Sequence, residues 1–291
     1  MKILITGANG MLGSDMINIL YSCPPLPTGE RIEVRGAARA DFDITDYNQT
    51  IRFLTDAKPD IVIHAAGYTK VDDCESNREI AFKVNAAGTK NVALGCKEIK
   101  AKLIHISTDY IFNGKKRTPY LEDDMPEPLS VYGDSKLKGE QAVQDILKDF
   151  IIIRTSWLFG KNGNNFVSAI LKQSEKTKII KVVNDQTGSP TYTIDLSRAV
   201  EKLILCNAVG IFNVTNNGLC SWHQFAKKIL KFAGINGAEV APITSEELNR
   251  PARRPVYSVL DCTKFKSTAN YRMRHWEDAL KDYLNSYKED F

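Results

Sequence analysis

The chain opens with the apolar run Met1-Lys2-Ile3-Leu4-Ile5-Thr6, followed at once by Gly7-Ala8-Asn9-Gly10-Met11-Leu12-Gly13. A strand, a glycine-spaced turn and an amphipathic stretch in this order predict a loop that approaches a pyrophosphate at the positive end of a helix. The glycine spacing is G-x-x-G-x-x-G rather than the common G-x-G-x-x-G. We therefore predict a dinucleotide site built from Gly7, Asn9, Gly10, Met11, Leu12 and Gly13.

Short apolar segments alternate with longer helical patterns beyond this loop. The predicted strands are Lys2–Thr6, Arg31–Ala37, Ile61–His64, Lys102–Ile106, Phe150–Arg154 and Lys178–Val183. The predicted helices are Leu12–Leu20, Tyr47–Asp56, Ala81–Ile99 and Lys136–Leu147. This order, with strands that are apolar on both faces, predicts an α/β fold with a doubly wound parallel sheet. Ligands of such sheets bind beyond the carboxyl ends of the strands.

The alternation weakens in the second half of the chain. Two polar, turn-rich stretches, Asn184–Thr191 and Arg250–Pro255, interrupt it. A strand at Gly210–Thr215 and helices at Ser221–Phe232 and Trp276–Tyr287 are still predicted. We expect a dinucleotide-binding domain over 1–160, with segments near 193–216 returning to it, and a smaller C-terminal, mainly substrate-binding lobe over 161–291.

Composition narrows the class of protein. The net charge is only +4, and the short basic cluster Lys115–Arg117 lies between glycine and proline, so we expect no nucleic-acid partner. The six cysteines form no C-x-x-C pair and the four histidines show no ligand spacing, so we expect reduced thiols and no zinc. No apolar run is long enough to span a membrane, and the N-terminus is already a strand. We expect a cytoplasmic protein without a membrane partner.

Tyr132 and Lys136 stand four residues apart in Tyr132-Gly133-Asp134-Ser135-Lys136. One helical turn places both side chains on the same face. A neighbouring ammonium favours the phenolate and lowers a tyrosine pKa that is otherwise about 10. Alone, a Y-x-x-x-K pair is more often part of a solvated amphipathic helix than of a catalytic site.

A hydroxyl at the end of an upstream strand favours the catalytic interpretation. The predicted strand before Ser107-Thr108-Asp109-Tyr110 would place Thr108 at the cofactor crevice, where it would hydrogen-bond a substrate carbonyl. Thr108 is also a suitable helix or turn cap. The glycine loop, Thr108 and the Y-x-x-x-K pair, in this order, are together far more specific than any one of them.

These features resemble an extended short-chain dehydrogenase/reductase, which has a Rossmann-type fold. Nearly the whole chain is similar to the dTDP-4-dehydrorhamnose reductase family. The segments that carry this resemblance are Phe42–Asp46, Ala65–Asp72, Ser107–Phe112, Arg154–Trp157, Asp185–Thr191 and Arg254–Asp261.

The resemblance implies an NAD(P)H-dependent oxidoreductase of dTDP-rhamnose biosynthesis. Its dTDP-keto-sugar substrate would be dTDP-6-deoxy-L-lyxo-4-hexulose, reduced at C4 to dTDP-L-rhamnose. Tyr132 would supply the proton, Lys136 would lower the Tyr132 pKa and bind the nicotinamide ribose, and Thr108 would polarise the carbonyl. The nicotinamide would carry the hydride, while the protein contributes positioning and electrostatics.

Binding residues are implied in the same way. Cofactor contacts would come from Ala65, Ala66, Gly67 and Asn85. Sugar-nucleotide contacts would come from Thr69, Val71, Tyr110, Trp157 and Asn165. Trp157 is almost equally typical of a buried core. Arg254 is implied as a diphosphate ligand, because a guanidinium suits phosphate oxygens, with a solvated surface arginine as the alternative.

Two other functions fit the same fold. Nucleotide-sugar dehydratases and epimerases share it, but the dehydratases resembled here carry Thr-Asp-Glu after the fourth strand, whereas Tyr110 follows Thr108-Asp109. The missing carboxyl argues against elimination and leaves Asp109 without an assigned role. A non-catalytic regulatory subunit, similar to the β subunit of methionine adenosyltransferase, is the other alternative.

A magnesium-bridged dimer occurs in some reductases of the family and needs carboxylates. Asp15 lies at a matching place, but Ile194 stands where the second carboxylate is needed, and Asp195 is one residue away. We therefore expect no bound metal, magnesium included, and a monomer or a homodimer.

Cofactor choice depends on the end of the second strand, which is Gly36-Ala37-Ala38-Arg39. NAD specificity usually rests on a carboxylate there, and none is present. Arg39 would instead pair with a 2′-phosphate. Asp43 and Ile44 are expected beside the adenine, and Asp41 in solvent. We predict NADPH as the preferred cofactor, with NADH also used, and an exposed loop arginine as the alternative for Arg39.

Overall fold

The strands that the structure describes have either four to seven residues or only two, and the two-residue strands all lie in the C-terminal half of the chain. The computed structural model describes residues 1–24, 29 and 31–288. In chain order the strands are β1 (Lys2–Thr6), β2 (Glu33–Ala37), β3 (Ile61–His64), β4 (Lys102–Thr108), β5 (Phe150–Thr155), β6 (Leu158–Phe159), β7 (Ile179–Val183), β8 (Thr187–Gly188), β9 (Thr191–Tyr192), β10 (Gly210–Asn213), β11 (Cys220–Ser221) and β12 (Glu239–Ile243).

The helices fill the segments between these strands. In chain order they are α1 (Met11–Tyr21), α2 (Tyr47–Ala57), α3 (Val71–Ser76), α4 (Arg78–Phe82), α5 (Thr89–Ile99), α6 (Val131–Ile146), α7 (Phe166–Ser174), α8 (Thr193–Leu205), α9 (Trp222–Ala233), α10 (Ser245–Leu248), α11 (Thr263–Ala269) and α12 (Trp276–Lys288). A π-helical turn at Lys83–Gly88 joins α4 to α5, and a 3₁₀ turn, Asp109–Ile111, follows β4. Among the described helices, none is both long enough and apolar enough to cross a membrane.

Six strands form the main sheet in the order β2-β1-β3-β4-β5-β10, and every neighbouring pair is parallel. Residues of β3 and β4 are buried on both faces, which explains their uninterrupted apolar sequences. Helices α1 and α8 cover one face, and α2, α5 and α6 cover the other. The predicted doubly wound α/β fold is confirmed.

The strand order reverses between β1 and β3. Loops that leave the carboxyl ends of these two strands run to opposite faces of the sheet and open a crevice. Thr6 pairs with both Ala37 of β2 and His64 of β3, so the ends of all three strands lie at one level. The glycine loop after β1 and the segment Ala65–Gly67 after β3 therefore border the same crevice.

One predicted strand lies elsewhere than expected. Lys178–Val183 does form β7, but β7 pairs with β12 in a separate two-stranded sheet, and β10 occupies the edge of the main sheet next to β5. Ile179 and Lys181 of β7 are exposed while Ile180 is buried. A strand with this alternation suits a sheet covered on one face, and Lys181 would be costly in a sheet buried on both.

A second core holds the C-terminal half together. It is rich in aromatic rings: Phe159 packs against Phe225 and Tyr283, and Trp276 meets Phe225 edge-on. In contrast, α8 packs its apolar side, including Leu196, against α1 in the core of the main sheet. The chain thus enters the second lobe after β6, returns to the main sheet with α8 and β10, and leaves it again with α9.

Candidate active site

A cavity of about 860 Å³ opens at the crevice between β1 and β3. Its wall is formed by the ends of β1 to β5, the start of α6 and part of the second lobe. The predicted site residues on this wall are Gly7, Asn9, Gly10, Met11, Leu12, Gly13, Arg39, Asp43, Ile44, Ala65, Ala66, Gly67, Thr69, Val71, Thr108, Tyr110, Tyr132, Lys136 and Trp157. Asn85, Asn165 and Arg254 are not on it.

The glycine loop has the geometry that a pyrophosphate site needs. Gly7 has φ +72°, and a Cβ there would lie 2.7 Å from the Ala66 backbone nitrogen, so no other residue fits. Helix α1 starts after Gly10 without a side-chain cap and without an acidic residue in its first turn. Its first N–H groups therefore remain available to an anion, and the positive end of the helix is not compensated by a carboxylate. These residues fit a dinucleotide.

Charged residues at the end of β2 form a small exposed group. Arg39 is 89% exposed at its side chain and lies 3.5 Å from Asp43, whose pKa is lowered chiefly by the hydrogen bond from the Thr45 backbone N–H. Asp41 accepts a hydrogen bond from the Ala38 N–H at 2.7 Å and closes the loop. Arg39 and Asp43 line the cavity, whereas Asp41 does not.

Asn85 lies behind the wall rather than on it. It is buried in the π-helical turn, where its side chain accepts a hydrogen bond from the Tyr68 N–H at 2.7 Å and donates to the Tyr68 carbonyl at 3.0 Å. It also donates to the Ser135 hydroxyl on α6 at 3.0 Å. Asn85 therefore fixes the loop after β3 against the helix that carries Tyr132.

Tyr132 lies in the first turn of α6, which begins at Val131 rather than at Lys136 as predicted. Ser130 caps the helix by accepting a hydrogen bond from the Gly133 N–H at 3.2 Å. Burial raises the Tyr132 pKa, and the hydrogen bond with Thr108 opposes this only in part. The expected lowering by Lys136 is thus not what this structure shows. A raised pKa keeps the phenol protonated at neutral pH, as a proton donor requires.

Lys136 is buried, with its ammonium directed at two acceptors. Its Nζ donates to the Ile106 carbonyl at 2.5 Å and lies 3.4 Å from His105 Nε2. Burial lowers the Lys136 pKa to about 8, while Glu140 opposes the shift. Burial and the nearby ammonium hold the His105 pKa well below its usual range, so the imidazole is a neutral acceptor. An ammonium has three N–H donors, so one remains for a ligand in the cavity.

Thr108 caps the 3₁₀ turn after β4 and also lines the cavity, so the capping role does not remove it from the cavity wall. Its hydroxyl accepts a hydrogen bond from the Tyr110 N–H at 3.2 Å and donates to Asp109 at 3.1 Å. Burial raises the Asp109 pKa to about 7. Asp109 also lines the cavity, a position for which the sequence suggested no role.

The residues predicted to contact a sugar nucleotide separate into two groups. Thr69, Val71, Tyr110 and Trp157 lie on the wall, joined by Trp222, which the sequence did not suggest. Asn165 instead caps α7, accepting from the Ser168 N–H at 3.0 Å and donating to the Gly160 carbonyl at 2.8 Å. A polar residue one position before a helical pattern was the available signal for that role.

Arg254 is neither a solvated arginine nor directed into the cavity. Its side chain is mostly buried, and its two terminal nitrogens each donate to an oxygen of Asp72 at 2.9 Å. One of them also donates to the Ala252 carbonyl at 2.9 Å. This bidentate pair joins the start of α3, next to Val71 on the wall, to a segment that lies 182 residues later.

The carboxylates considered for magnesium have protein partners. Asp15 accepts a hydrogen bond from the Thr193 hydroxyl, and Asp195 accepts from Arg274 and Asn216, each at 2.8 Å. Within residues 1–24, 29 and 31–288, no group of three or more His, Cys, Asp or Glu side chains is placed to hold a metal ion.

Residues 1–289 match the family model described as the RmlD substrate binding domain. The spore coat polysaccharide biosynthesis protein SpsK of Bacillus subtilis is 41% identical, over 97% of this chain and 96% of the relative.

Solved structures agree with this match. A dTDP-4-dehydrorhamnose reductase from Clostridium acetobutylicum is 40% identical with a TM-score of 0.93, covering 99% of this chain and 100% of the other. The dTDP-4-dehydrorhamnose reductase of Bacillus anthracis, solved in complex with NADP, is 38% identical with a TM-score of 0.92, covering 98% and 99%.

Proposed function

The chain belongs to the dTDP-4-dehydrorhamnose reductase family of oxidoreductases, and on this basis we propose that it reduces the C4 ketone of dTDP-4-dehydro-L-rhamnose to dTDP-L-rhamnose. The observation that supports this most is one continuous cavity wall. It carries the glycine loop, Thr108, Tyr132 and Lys136 together. A dinucleotide-binding loop beside a buried acid and a buried ammonium fits reduction of a carbonyl.

We assign the proton transfer to Tyr132. A nicotinamide bound along the glycine loop supplies the hydride to C4 of the sugar. As that bond forms, the electron pair of the carbonyl moves to oxygen, and Tyr132 donates its phenolic proton there. The buried Lys136 ammonium keeps one N–H beyond those directed at Ile106 and His105, and we assign it to the nicotinamide ribose.

Thr108 orients and polarises the ketone in this proposal. Its hydroxyl hydrogen points to Asp109 in this structure. Because burial raises the Asp109 pKa to about 7, the protonated carboxyl is accessible near neutral pH. A protonated Asp109 donates to Thr108 and leaves the Thr108 hydrogen for the ketone oxygen. This gives Asp109 a role that does not require elimination.

We propose NADPH as the preferred cofactor, with NADH also used. Arg39 is exposed on the wall with Asp43 as its ion-pair partner, and a planar guanidinium suits a 2′-phosphate. The Asp43 carboxylate near that phosphate weakens the preference without abolishing it. The Bacillus anthracis relative was solved with NADP, which agrees with this choice.

For the sugar nucleotide we propose contacts from Thr69, Val71, Tyr110 and Trp157, which line the cavity. Arg254 hydrogen-bonds Asp72, Ala252 and Tyr110 and lies off the cavity wall. We therefore propose that it positions Tyr110 and the start of α3 for the sugar nucleotide, rather than acting as a direct diphosphate ligand. Tyr110 occupies the place of a dehydratase's second carboxyl and packs edge-on against Tyr132 at 5.9 Å, which favours a reductase over an eliminating enzyme.

The proposal is tested by mixing the purified protein with NADPH and dTDP-4-dehydro-L-rhamnose and following NADPH absorbance. We expect oxidation that depends on the keto-sugar and is absent with dTDP-L-rhamnose, which has no ketone. Lack of turnover together with a tight complex with a methionine adenosyltransferase would favour the regulatory-subunit alternative instead.

A further inference from the structure

The helix that carries Tyr132 is capped by a side chain from another element. Glu75, near the end of α3, accepts a hydrogen bond through Oε1 from the Val131 N–H at 2.9 Å. Val131 is the first residue of α6, and Tyr132, the assigned proton donor, is the second. Glu75 and Val131 lie 56 positions apart along the chain, so this contact forms only when α3 and α6 pack together.

The start of α6 depends on acceptors outside the helix. The first N–H groups of a helix have no partner within it, so its first turn frays unless other groups accept from them. In α6 the Ser130 hydroxyl accepts from the Gly133 N–H at 3.2 Å, and Glu75 accepts from the Val131 N–H. The residues directly before and after Tyr132 are thus held by two different acceptors. A carboxylate also suits the positive end of a helix.

The Tyr132 ring packs against a small buried cluster that joins α3, α4 and α6. The buried members of this cluster are Cys74, Ala81 and Val131. The first turn of α6 also lies close to the turn after β4, since a Cβ at Gly133 would lie 2.2 Å from the Tyr110 carbonyl oxygen. Within this packing, Glu75 supplies a directional polar contact that fixes the height of the first turn.

The other end of α3 is fixed to the second lobe. Asp72 accepts hydrogen bonds from both terminal nitrogens of Arg254 at 2.9 Å and from the Ala252 N–H at 3.2 Å. Val71, the first residue of α3, lines the cavity. Because α3 is anchored at both ends, it gives the Glu75 carboxylate a defined position relative to the cavity and to the start of α6.

We propose that Glu75 is a positioning residue for the reduction: by holding the Val131 N–H, it places the Tyr132 phenol within reach of the ketone oxygen. The inference rests on the proposed function and names a residue that lies off the cavity wall. A general acid must lie within about 2.6–3.2 Å of the atom that it protonates, so a small shift of the first turn slows proton transfer. Lys136, one turn further along, is held separately by the Ile106 carbonyl, so cofactor binding should not depend on Glu75.

Two substitutions separate the reach of the Glu75 side chain from its charge. Glu75→Gln keeps the length and an acceptor oxygen, so its kcat should stay close to that of the wild type. Glu75→Asp keeps the carboxylate but is one methylene shorter, so it should lose the contact and lower kcat by about fivefold to tenfold, as expected for one hydrogen bond. KM for NADPH should be unchanged in both. Equal kcat values in the two variants, or a lower kcat in Glu75→Gln, would overturn the inference.

A double-mutant cycle tests whether Glu75 acts through Tyr132. In Tyr132→Phe there is no phenolic proton left to position, so adding Glu75→Asp should not lower the residual kcat further. A disturbance of α6 that is unrelated to proton donation would lower kcat by the same factor in both backgrounds. Effects that multiply in the double variant would therefore contradict the inference.

A second carboxylate cap provides a matched control. Glu247 accepts a hydrogen bond from the Thr244 N–H at 2.6 Å at the start of α10, and the residues of α10 do not line the cavity. Glu247→Asp shortens that side chain by the same methylene and should leave kcat unchanged. A fall in kcat equal to that of Glu75→Asp would show that the effect is not specific to α6, and would overturn the inference.

Failure of this inference is distinguishable from failure of the proposed function. Wild-type turnover of the keto-sugar, with an unchanged kcat in Glu75→Asp, overturns the inference alone. Absence of turnover by the wild type overturns the proposed function, and the inference falls with it.

Discussion

Replacing Arg39 with alanine is expected to lower the ratio of kcat/KM for NADPH to kcat/KM for NADH by roughly tenfold. The Arg39 side chain is 89% exposed on the cavity wall, with Asp43 3.5 Å away. A guanidinium in this setting is free to direct N–H groups at a 2′-phosphate. NADH has no phosphate at that position, so its binding does not depend on the arginine.

The size of the effect follows from the exposure of Arg39. A hydrogen bond to a charged group contributes about 1.5–3 kcal/mol, and an exposed ion pair about 0.2–1 kcal/mol. Because Arg39 is exposed and Asp43 competes for its N–H groups, we take about 1.5 kcal/mol, the lower end of the first range. At about 1.4 kcal/mol for each factor of ten, this corresponds to a roughly tenfold change.

The assay measures initial rates with each cofactor at saturating keto-sugar. Arg52→Ala is a matched control, since Arg52 is 86% exposed and has its own carboxylate, Asp56, at 3.9 Å on α2, away from the cavity. It should leave the NADPH-to-NADH ratio unchanged. An unchanged ratio in Arg39→Ala, or an equal fall in Arg52→Ala, would show that Arg39 does not recognise the phosphate.

Three further outcomes are expected. Tyr132→Phe should lower kcat by about 10²–10⁴-fold while cofactor titrations stay as in the wild type; a loss under about tenfold would remove its assigned role. Because burial lowers the Lys136 pKa to about 8, its ammonium is lost as pH rises through that value. The wild-type kcat/KM for NADPH should therefore fall above about pH 8. In Lys136→Met, kcat/KM should be low at all pH values and should show no such fall. A wild-type kcat/KM that stays constant up to about pH 10 would contradict the role of Lys136. Arg154→Met removes the bidentate partner of Glu140 and leaves that carboxylate as an unpaired buried charge. Chemical denaturation should therefore show a free energy of unfolding that is lower by about 3–5 kcal/mol. Adding Glu140→Leu removes the buried charge and should largely restore the free energy of unfolding.

The parts of the site that local sequence determines could be predicted. A strand, a turn and a helix in direct succession set the geometry of the Gly7 loop, because the contacts that shape it join residues close together in the sequence. The same holds for Tyr132 and Lys136, whose four-residue spacing places them on one face of α6. The doubly wound fold could be predicted because uniformly apolar strands alternate with amphipathic helices. Such strands must be covered on both faces of the sheet, and the helices supply that cover.

The placement of β7 could not be predicted in this way. Its alternation of exposed and buried residues describes its own faces and carries no information about its partner. That partner, β12, lies about sixty residues later, and the choice between β7 and β10 for the edge of the main sheet depends on the whole assembly.

Contacts between residues that lie far apart along the chain also could not be predicted from the sequence. The capping box at Ser221 and Gln224 explains why a helix begins at Trp222, but nothing local places that ring on Trp157. Likewise Arg254 was expected near phosphate from its chemistry alone. Its bidentate contact with Asp72 exists only because the two lobes meet there.

Transfer of deuterium from NADPH labelled at C4 of the nicotinamide tests the proposed reaction most directly. The purified protein is incubated with labelled cofactor and dTDP-4-dehydro-L-rhamnose, and the product is analysed by mass spectrometry and proton NMR. We expect dTDP-L-rhamnose that carries one deuterium, bound to C4 of the sugar. Recovery of unreduced keto-sugar, or deuterium at any other carbon, would contradict the assignment of this chain as a C4 ketone reductase.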